Sequence, residues 1–238
     1  MNKLKCLNST HLKLIAMVCM FVDHAWGLLA SGQMWMTCVG RIAFPIFAFQ
    51  IAEGYAHTKH FKRYLLRLFL FALISEIPYN FMSGGGWFNP LGQNVMFTFC
   101  LSLLIIRLID RARAKHWAVG LAASLAGLVL GYLLGMFTFV DYHGYGVLMV
   151  LAFWMFREVP YGSILQLASM VYINCFMVKG LSLVVGETFV PIQCFAVLAM
   201  IPILLYNGKQ GPGGKPFRMA CYAFYPVHIA ILVIIAFL

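Results

Sequence analysis

The sequence predicts an all-α, polytopic transmembrane helix bundle. Of its 238 residues, 63% are hydrophobic and only 10% are charged, and the mean hydropathy is +0.87. Several apolar runs approach or exceed the ~18 residues that a membrane-spanning helix needs, whereas the ~10-residue alternating strands of an outer-membrane barrel are missing. Because no linker is longer than about a dozen residues and no internal repeat is visible, we expect a single transmembrane domain over residues 1–238.

Nine apolar segments are predicted to span the bilayer. The first is too long for a signal-peptide core and no small-residue cleavage site follows it, so we expect it to remain as a helix. The sixth is short. The predicted spans are residues 12–30, 36–56, 64–82, 94–109, 117–138, 144–157, 161–178, 190–206 and 219–238.

Basic residues set the predicted orientation. If nine helices alternate across the membrane, fifteen of the seventeen Lys and Arg fall on one side, and only Arg41 and Lys179 do not. Cytoplasmic segments carry such an excess of Lys and Arg. The sequence therefore predicts a cytoplasmic N-terminus and a C-terminus on the opposite side. The net charge of +10 then reports topology, and we expect no nucleic-acid partner.

The first span carries an unusual pair of ionisable residues, Asp23 and His24. Such groups at membrane depth cost roughly 2–4 kcal/mol each, so they usually persist because they are paired or used. Lys13 lies eleven residues earlier, only ~20° away around the helix and ~16 Å along its axis. A cation at the membrane edge therefore shares a helix face with a buried imidazole.

Further polar residues are predicted to converge with Asp23 and His24 on the outer half of the bilayer. They come from the second, third and last spans and from the connection before the sixth: Arg41, Glu76, Asp141, His143, Tyr225 and His228. Structural roles compete with catalytic ones. Arg41 can form a salt bridge with Asp23, Glu76 or Asp141, Asp141 can cap the sixth helix, and His228 alone is typical of a hydrogen-bonded core histidine.

This pattern favours chemistry on an anionic cofactor that enters from the cytoplasm. Its phosphates would bind at the basic edge, and His24 would be the general base, oriented or charge-balanced by a neighbouring carboxylate. The predicted phosphate contacts are Lys13, Lys59, Lys62, Arg63 and Arg67, although topology alone also explains the loop residues. No metal is expected, because the histidines lack HxxxH and HExxH spacing, and the seven cysteines form no CxxC.

Several of these segments resemble the TraX family, typified by the F-pilin acetylation protein of conjugative plasmids. The similarity runs in order over nearly the whole chain, and its most specific elements are DH, GRxAFP and YPxH. Lys13 and His24 also resemble the Arg-x10-His signature of the acyltransferase 3 superfamily, with lysine in place of arginine. The matching segments are residues 12–25, 40–55, 64–80, 94–99, 141–149 and 224–232.

The resemblance implies an acetyltransferase of the bacterial cytoplasmic (inner) membrane. Acetyl-CoA would bind from the cytoplasm, and His24 would deprotonate the acceptor or carry the acetyl group. Arg41, from GRxAFP, would hold a charge partner or stabilise the oxyanion. The acceptor would be a pilin-like N-terminal amine or a small amine or hydroxyl substrate.

A second reading is a non-enzymatic membrane protein, either a proton-coupled small-molecule transporter or a pilin-handling chaperone. Buried Asp, Glu and His side chains are equally suited to a proton relay. Transporters often have paired halves with broken helices, so an odd number of spans without a repeat favours the enzyme.

Overall fold

The computed structural model describes residues 5–185 and 187–238, so the predicted cytoplasmic Lys3 lies outside the described residues. By its internal contacts the chain divides into two compact units, residues 1–50 with 160–238 and residues 51–159. The helices are α1 (Ser9–Leu29), α2 (Met34–Gly40), α3 (Ala43–His57), α4 (Phe61–Met82), α5 (Val95–Arg113), α6 (Trp117–Phe137), α7 (His143–Met155), α8 (Gly162–Val171), α9 (Met200–Leu204) and α10 (Gly214–Phe237).

The helical prediction is confirmed, since a helical segment occupies each of the nine predicted spans. Three of these segments are irregular. A turn separates α2 from α3, a π-helix (Tyr172–Met177) continues α8, and a 3₁₀-helix (Ile192–Ala199) precedes α9. Among the described residues, five helices are long and apolar enough to cross a membrane, counting α2 and α3 as one. Nine complete crossings therefore stay a prediction.

A two-stranded antiparallel hairpin lies in the first unit, over the predicted connection between the seventh and eighth spans and the first two residues of the eighth. Strand β1 (Ser182–Val185) pairs with β2 (Thr188–Pro191), and Ser182 lies opposite Pro191. The strands are only four residues each. Their mutual hydrogen bonds satisfy backbone groups that an irregular loop would leave unpaired.

In the first unit, α1 packs against both α2 and α10. The Thr10 hydroxyl near the start of α1 donates to the Pro212 carbonyl at 2.8 Å, just before α10 begins. Further along, His24 of α1 contacts His228 of α10. The first and last long helices therefore run parallel, as expected if the two ends of the chain lie on opposite sides of the membrane.

In the second unit, α5 packs against α4, α6 and α7. At the basic end of the unit, Tyr55 Oη donates to Asp110 Oδ2 at 2.7 Å. There the Glu53 carboxylate pairs with Arg157 Nε at 2.6 Å. Alternating helices bring the ends of α3 and α7 to the same side, so Arg157 approaches Glu53 from the end of the predicted sixth span.

Glycines bring α6 and α7 into close backbone contact. A Cβ built on Gly135 would lie 2.7 Å from Gly144 Cα, and one on Gly144 would lie 2.8 Å from Tyr132 Cα. Close backbone approach is how helices gain packing energy in a membrane, where lipid is as apolar as their side chains. Any side chain here would force the helices apart.

We expect Gly144→Ala to destabilise the protein by about 1–3 kcal/mol, the usual cost of overpacking a core. The comparison variant is Gly27→Ala in α1, where an added Cβ has no atom within 4 Å. That variant should be neutral or slightly stabilising, because alanine is the better helix former. Denaturant unfolding in detergent micelles measures both, and equal unfolding midpoints would contradict the close contact.

Candidate active site

The first unit contains a hydrogen-bonded histidine pair. His24 Nδ1 lies 2.7 Å from His228 Nε2, and His228 Nδ1 lies 2.7 Å from the Phe224 carbonyl oxygen. The two imidazoles are nearly parallel, at an interplanar angle of 4° with centroids 4.9 Å apart. His228 is 4% exposed. The pair joins two helices whose histidines are 204 residues apart.

These distances determine which nitrogens carry protons when both rings are neutral. A carbonyl oxygen only accepts, so His228 Nδ1 must carry the hydrogen that it donates to Phe224. His228 Nε2 is then an acceptor, and His24 Nδ1 must donate to it. The lone pair of the His24 imidazole is therefore on Nε2. That nitrogen is the basic atom of the pair.

Two aromatic residues of α10 lie beside the histidine pair. Phe224 stacks on His228 with centroids 4.5 Å apart. Tyr225 lies edge-on to His24 at 6.2 Å and to His228 at 5.9 Å, and it is 3% exposed. The predicted residues Tyr225 and His228 therefore both lie beside His24. The neighbouring rings limit the rotation of the imidazoles.

Asp23 forms an ion pair with Arg41 and does not hydrogen-bond to the neighbouring imidazole of His24, whose Nδ1 is bonded to His228. Asp23 Oδ1 lies 3.6 Å from Arg41 Nη2, and both side chains are about one-fifth exposed. Arg41 Nη2 also donates to Thr37 Oγ1 at 2.7 Å. Of the three predicted salt-bridge partners of Arg41, Asp23 is the one paired with it within the first unit.

A glycine makes room for this ion pair. A Cβ on Gly40 would overlap the Asp23 side chain, so the carboxylate lies directly against the backbone of α2. Asp23 thus reaches the end of α2, where Arg41 follows. This contact gives a physical role to the first two residues of the GRxAFP segment.

Three predicted catalytic residues lie in the second unit. Glu76 Oε1 accepts a hydrogen bond from the Asn94 backbone amide at 3.1 Å, and Asp141 Oδ1 accepts one from the Tyr142 amide at 3.0 Å. His143 is exposed at the start of α7. The alternative that Asp141 caps this helix is wrong, since Tyr142 is the N-cap and no side chain caps it.

The predicted phosphate contacts also fall in two places. Lys13 is half-buried in the first unit, in electrostatic range of Cys221 and Arg218 on α10. Lys59, Lys62 and Arg63 line a groove in the second unit, and the residues described as lining it do not include Arg67. Lys13 and His24 both lie near α10, which is consistent with the shared helix face that their spacing predicted.

Sequence reasoning expected a neighbouring carboxylate to orient or charge-balance His24, whereas the residue that hydrogen-bonds to its Nδ1 is His228. Sequence reasoning also missed Thr37, which accepts a hydrogen bond from Arg41, and Asn94, whose amide donates to Glu76. Small polar side chains within apolar runs gave no signal. Pro226 lies inside α10, where a proline leaves one backbone carbonyl without its helical partner. In an α-helix that carbonyl belongs to the residue four positions earlier, Tyr222, whereas His228 uses Phe224.

The described residues contain no group of three His, Cys, Asp or Glu side chains placed to hold a metal ion. The polar groups that the structure does assemble in the first unit are a histidine pair with a defined base and an Asp–Arg pair.

Fold and site together define a polytopic helical membrane protein with a hydrogen-bonded histidine pair between its first and last long helices. Residues 8–236 match the TraX protein family. The chain belongs to the TraX family.

Individual relatives agree with this assignment. The probable fimbrial assembly protein FimC, serogroup H1, of Dichelobacter nodosus is 30% identical over 93% of this chain and 92% of its own length. A Protein TraX of Escherichia coli is 22% identical over 94% of this chain and 86% of its own length. Protein TraX of Escherichia coli strain K12 is 31% identical over 40% of this chain and 37% of its own length. No solved structure matches the chain.

Proposed function

We propose that the protein is an integral-membrane acetyltransferase that moves an acetyl group from cytoplasmic acetyl-CoA to an acceptor at or beyond the membrane. The observation that carries this proposal is the His24–His228 hydrogen bond, which leaves a lone pair on His24 Nε2. Acyl transfer to an amine or hydroxyl needs a base that removes the acceptor proton as the new bond forms.

The residues of the first unit divide the chemistry between them. His24 Nε2 takes the proton from the acceptor amine or hydroxyl while the acceptor's own nitrogen or oxygen attacks the thioester carbonyl. The proton then passes to the departing thiolate. His228 and the Phe224 carbonyl hold the imidazole in the required tautomer. Arg41 lies in electrostatic range of His24 and supplies positive charge for the developing oxyanion.

Lys13 supports a donor that enters from the basic side of the membrane. Arg218 adds a second positive charge nearby, and the helix places His24 ~16 Å from Lys13 along its axis. Phosphates held at this edge would therefore allow an extended, uncharged arm to reach the imidazole. Because cytoplasmic segments are rich in Lys and Arg, these basic residues support a cytoplasmic position for this edge of an inner-membrane protein.

The relatives' names suggest the acceptor. One relative is called a fimbrial assembly protein, so a pilin-like N-terminal amine is the acceptor that we propose to test first. A small amine or hydroxyl compound is the second class, because the same base serves both. Acetyl transfer to either class uses the same histidine.

The test uses the full chain in lipid nanodiscs with acetyl-CoA and a pilin-like peptide that has a free N-terminal amine. We expect release of the CoA thiol together with a mass increase of one acetyl group on the peptide. A peptide with a blocked N-terminus is the control and should stay unmodified. If neither peptide nor small amines and alcohols are acetylated, and CoA does not bind in calorimetry, the transferase proposal is wrong and a transporter or chaperone is favoured.

A further inference from the structure

A groove of about 780 Å³ opens within the second unit, separate in sequence from the histidine pair. One end is formed by the start of α4 and the last turns of α5. The positively charged residues that line it are Lys59, Lys62, Arg63, Arg107 and Arg111, with His60 beside them. This end is the basic, cytoplasmic end of the unit.

Most of these charges have no counter-ion within the part of the chain that the structure describes. Among the described residues, only Arg107 of this group forms an ion pair, with Asp110 at 3.7 Å. Arg113 and Arg157, nearby in the same unit, are engaged elsewhere, over the Trp154 ring and with Glu53. The backbone N–H groups at the start of α4 add positive potential here. The N-cap His60 makes no side-chain hydrogen bond to them. A multivalent anion fits this end.

The rest of the groove is an aliphatic wall. It extends from the basic end along α5 and α6, and its residues are Leu101, Leu104, Ile105, Leu108, Leu130 and Leu134. From Arg111 back to Leu101 the helix rises ~15 Å. That distance is half of the ~30 Å hydrocarbon core of a bilayer. The wall is therefore about as deep as one leaflet.

We propose that this groove binds an anionic phospholipid of the cytoplasmic leaflet. The headgroup phosphate lies against Lys62, Arg63 and Arg111, and one acyl chain runs along the leucines of α5 and α6. Basic pockets between membrane helices on the cytoplasmic side are suited to acidic headgroups. The site does not depend on acetyl transfer, because none of its residues belongs to the histidine pair.

The aliphatic wall favours a lipid over acetyl-CoA, the acyl donor, as the ligand of this groove. The arm of CoA contains two amides, each of which needs hydrogen-bond partners when it leaves water. Beyond the basic end, the described lining consists of aliphatic side chains alone. An acyl chain needs no such partner. The residues Lys59, Lys62 and Arg63, expected from the sequence to contact the donor, are therefore assigned to the lipid headgroup instead.

The test is native mass spectrometry of the full chain, extracted in a neutral detergent and titrated with phosphatidylglycerol or with phosphatidylcholine of the same chains. We expect one tight phosphatidylglycerol adduct and no equivalent phosphatidylcholine adduct. The variant Lys62→Gln/Arg63→Gln/Arg111→Gln should weaken that adduct roughly 100-fold, since each basic residue near a membrane surface contributes about fivefold.

Two further variants control for charge and for folding. Lys115→Gln/Lys179→Gln/Lys209→Gln removes the same charge from exposed positions outside the groove and should bind phosphatidylglycerol as the parent does. Leu104→Trp keeps every charge but fills the wall where Leu104 is 46% exposed. It should lose the tight adduct at least tenfold. Glycerol 3-phosphate, which has no acyl chain, should fail to compete.

Three results would overturn the proposal. Equal weakening in both triple variants would mean that lipid only surrounds the protein. Unchanged binding in Leu104→Trp would mean that no acyl chain enters the groove. Displacement of the lipid by micromolar acetyl-CoA, lost in the groove variants, would assign the groove to the donor.

Discussion

Replacement of His24 by Asn is expected to lower the rate of acetyl transfer by about 10²–10⁴-fold, the usual contribution of a positioned general base. The Asn carboxamide lies near the position of imidazole Nδ1 and can still donate to His228 Nε2. It has no atom at the position of Nε2. The fold and the contact between α1 and α10 should therefore persist while the base is lost.

A graded series makes this result specific to the pair. His228→Gln offers an oxygen near the position of Nε2, so it can still accept from His24, although the bond to Phe224 is lost. One lost hydrogen bond is worth about 0.5–1.5 kcal/mol, or up to roughly tenfold in rate. The control His116→Asn changes an exposed histidine that caps α6 to another capping residue. It should retain full activity.

The measurement is the initial rate of CoA thiol release in the presence of acceptor, with circular dichroism and gel filtration as checks on folding. Full activity in His24→Asn would exclude His24 as the base. Equal losses in His24→Asn and His116→Asn would show that the assay responds to histidine content in general.

Replacement of Arg41 by Gln is expected to destabilise the fold by about 3 kcal/mol. Removing one partner of a buried ion pair costs about 3–5 kcal/mol because the other charge stays uncompensated. The lower end applies here, since each side chain is about one-fifth exposed. Asp23 would lie against Gly40 without its counter-ion.

The double variant Asp23→Asn/Arg41→Gln should recover most of this loss, because it leaves no unpaired charge in the membrane. Glu158→Gln is the matched control. It breaks an ion pair with Arg157 in which Glu158 is 83% exposed, and such surface pairs contribute about 0–1 kcal/mol.

Denaturant unfolding in mixed micelles gives the free energy for each protein. A double variant as unstable as Arg41→Gln would show that the arginine acts through contacts other than the Asp23 pair. Equal stabilities of Arg41→Gln and Glu158→Gln would contradict the pairing itself.

Much of the fold follows from the sequence because a bilayer imposes constraints that act locally. Each spanning helix must be about twenty apolar residues long and must satisfy its own backbone hydrogen bonds. The helical segments could therefore be placed one at a time. The hairpin at residues 182–191 was missed because no such constraint governs the connection between the seventh and eighth predicted spans, and the first two residues of the eighth belong to β2.

The candidate site was predictable only in part. Asp23, His24 and Arg41 stand out because an ionisable residue within an apolar run is costly wherever its partner lies. The identity of that partner depends on helix rotation and on which helices are neighbours. The same limit applies to Glu53, whose partner Arg157 lies 104 residues away.

By itself, the sequence determined that this is a helical membrane protein, predicted that its basic residues gather on one side, and singled out His24 as an ionisable residue within an apolar span. Only the tertiary structure decided that His24 is held by His228 and Asp23 by Arg41. Hydropathy is a property of each residue and can be read along the chain. A hydrogen bond between α1 and α10 exists only once the helices are packed, and it is this bond that defines Nε2 as the basic nitrogen of His24.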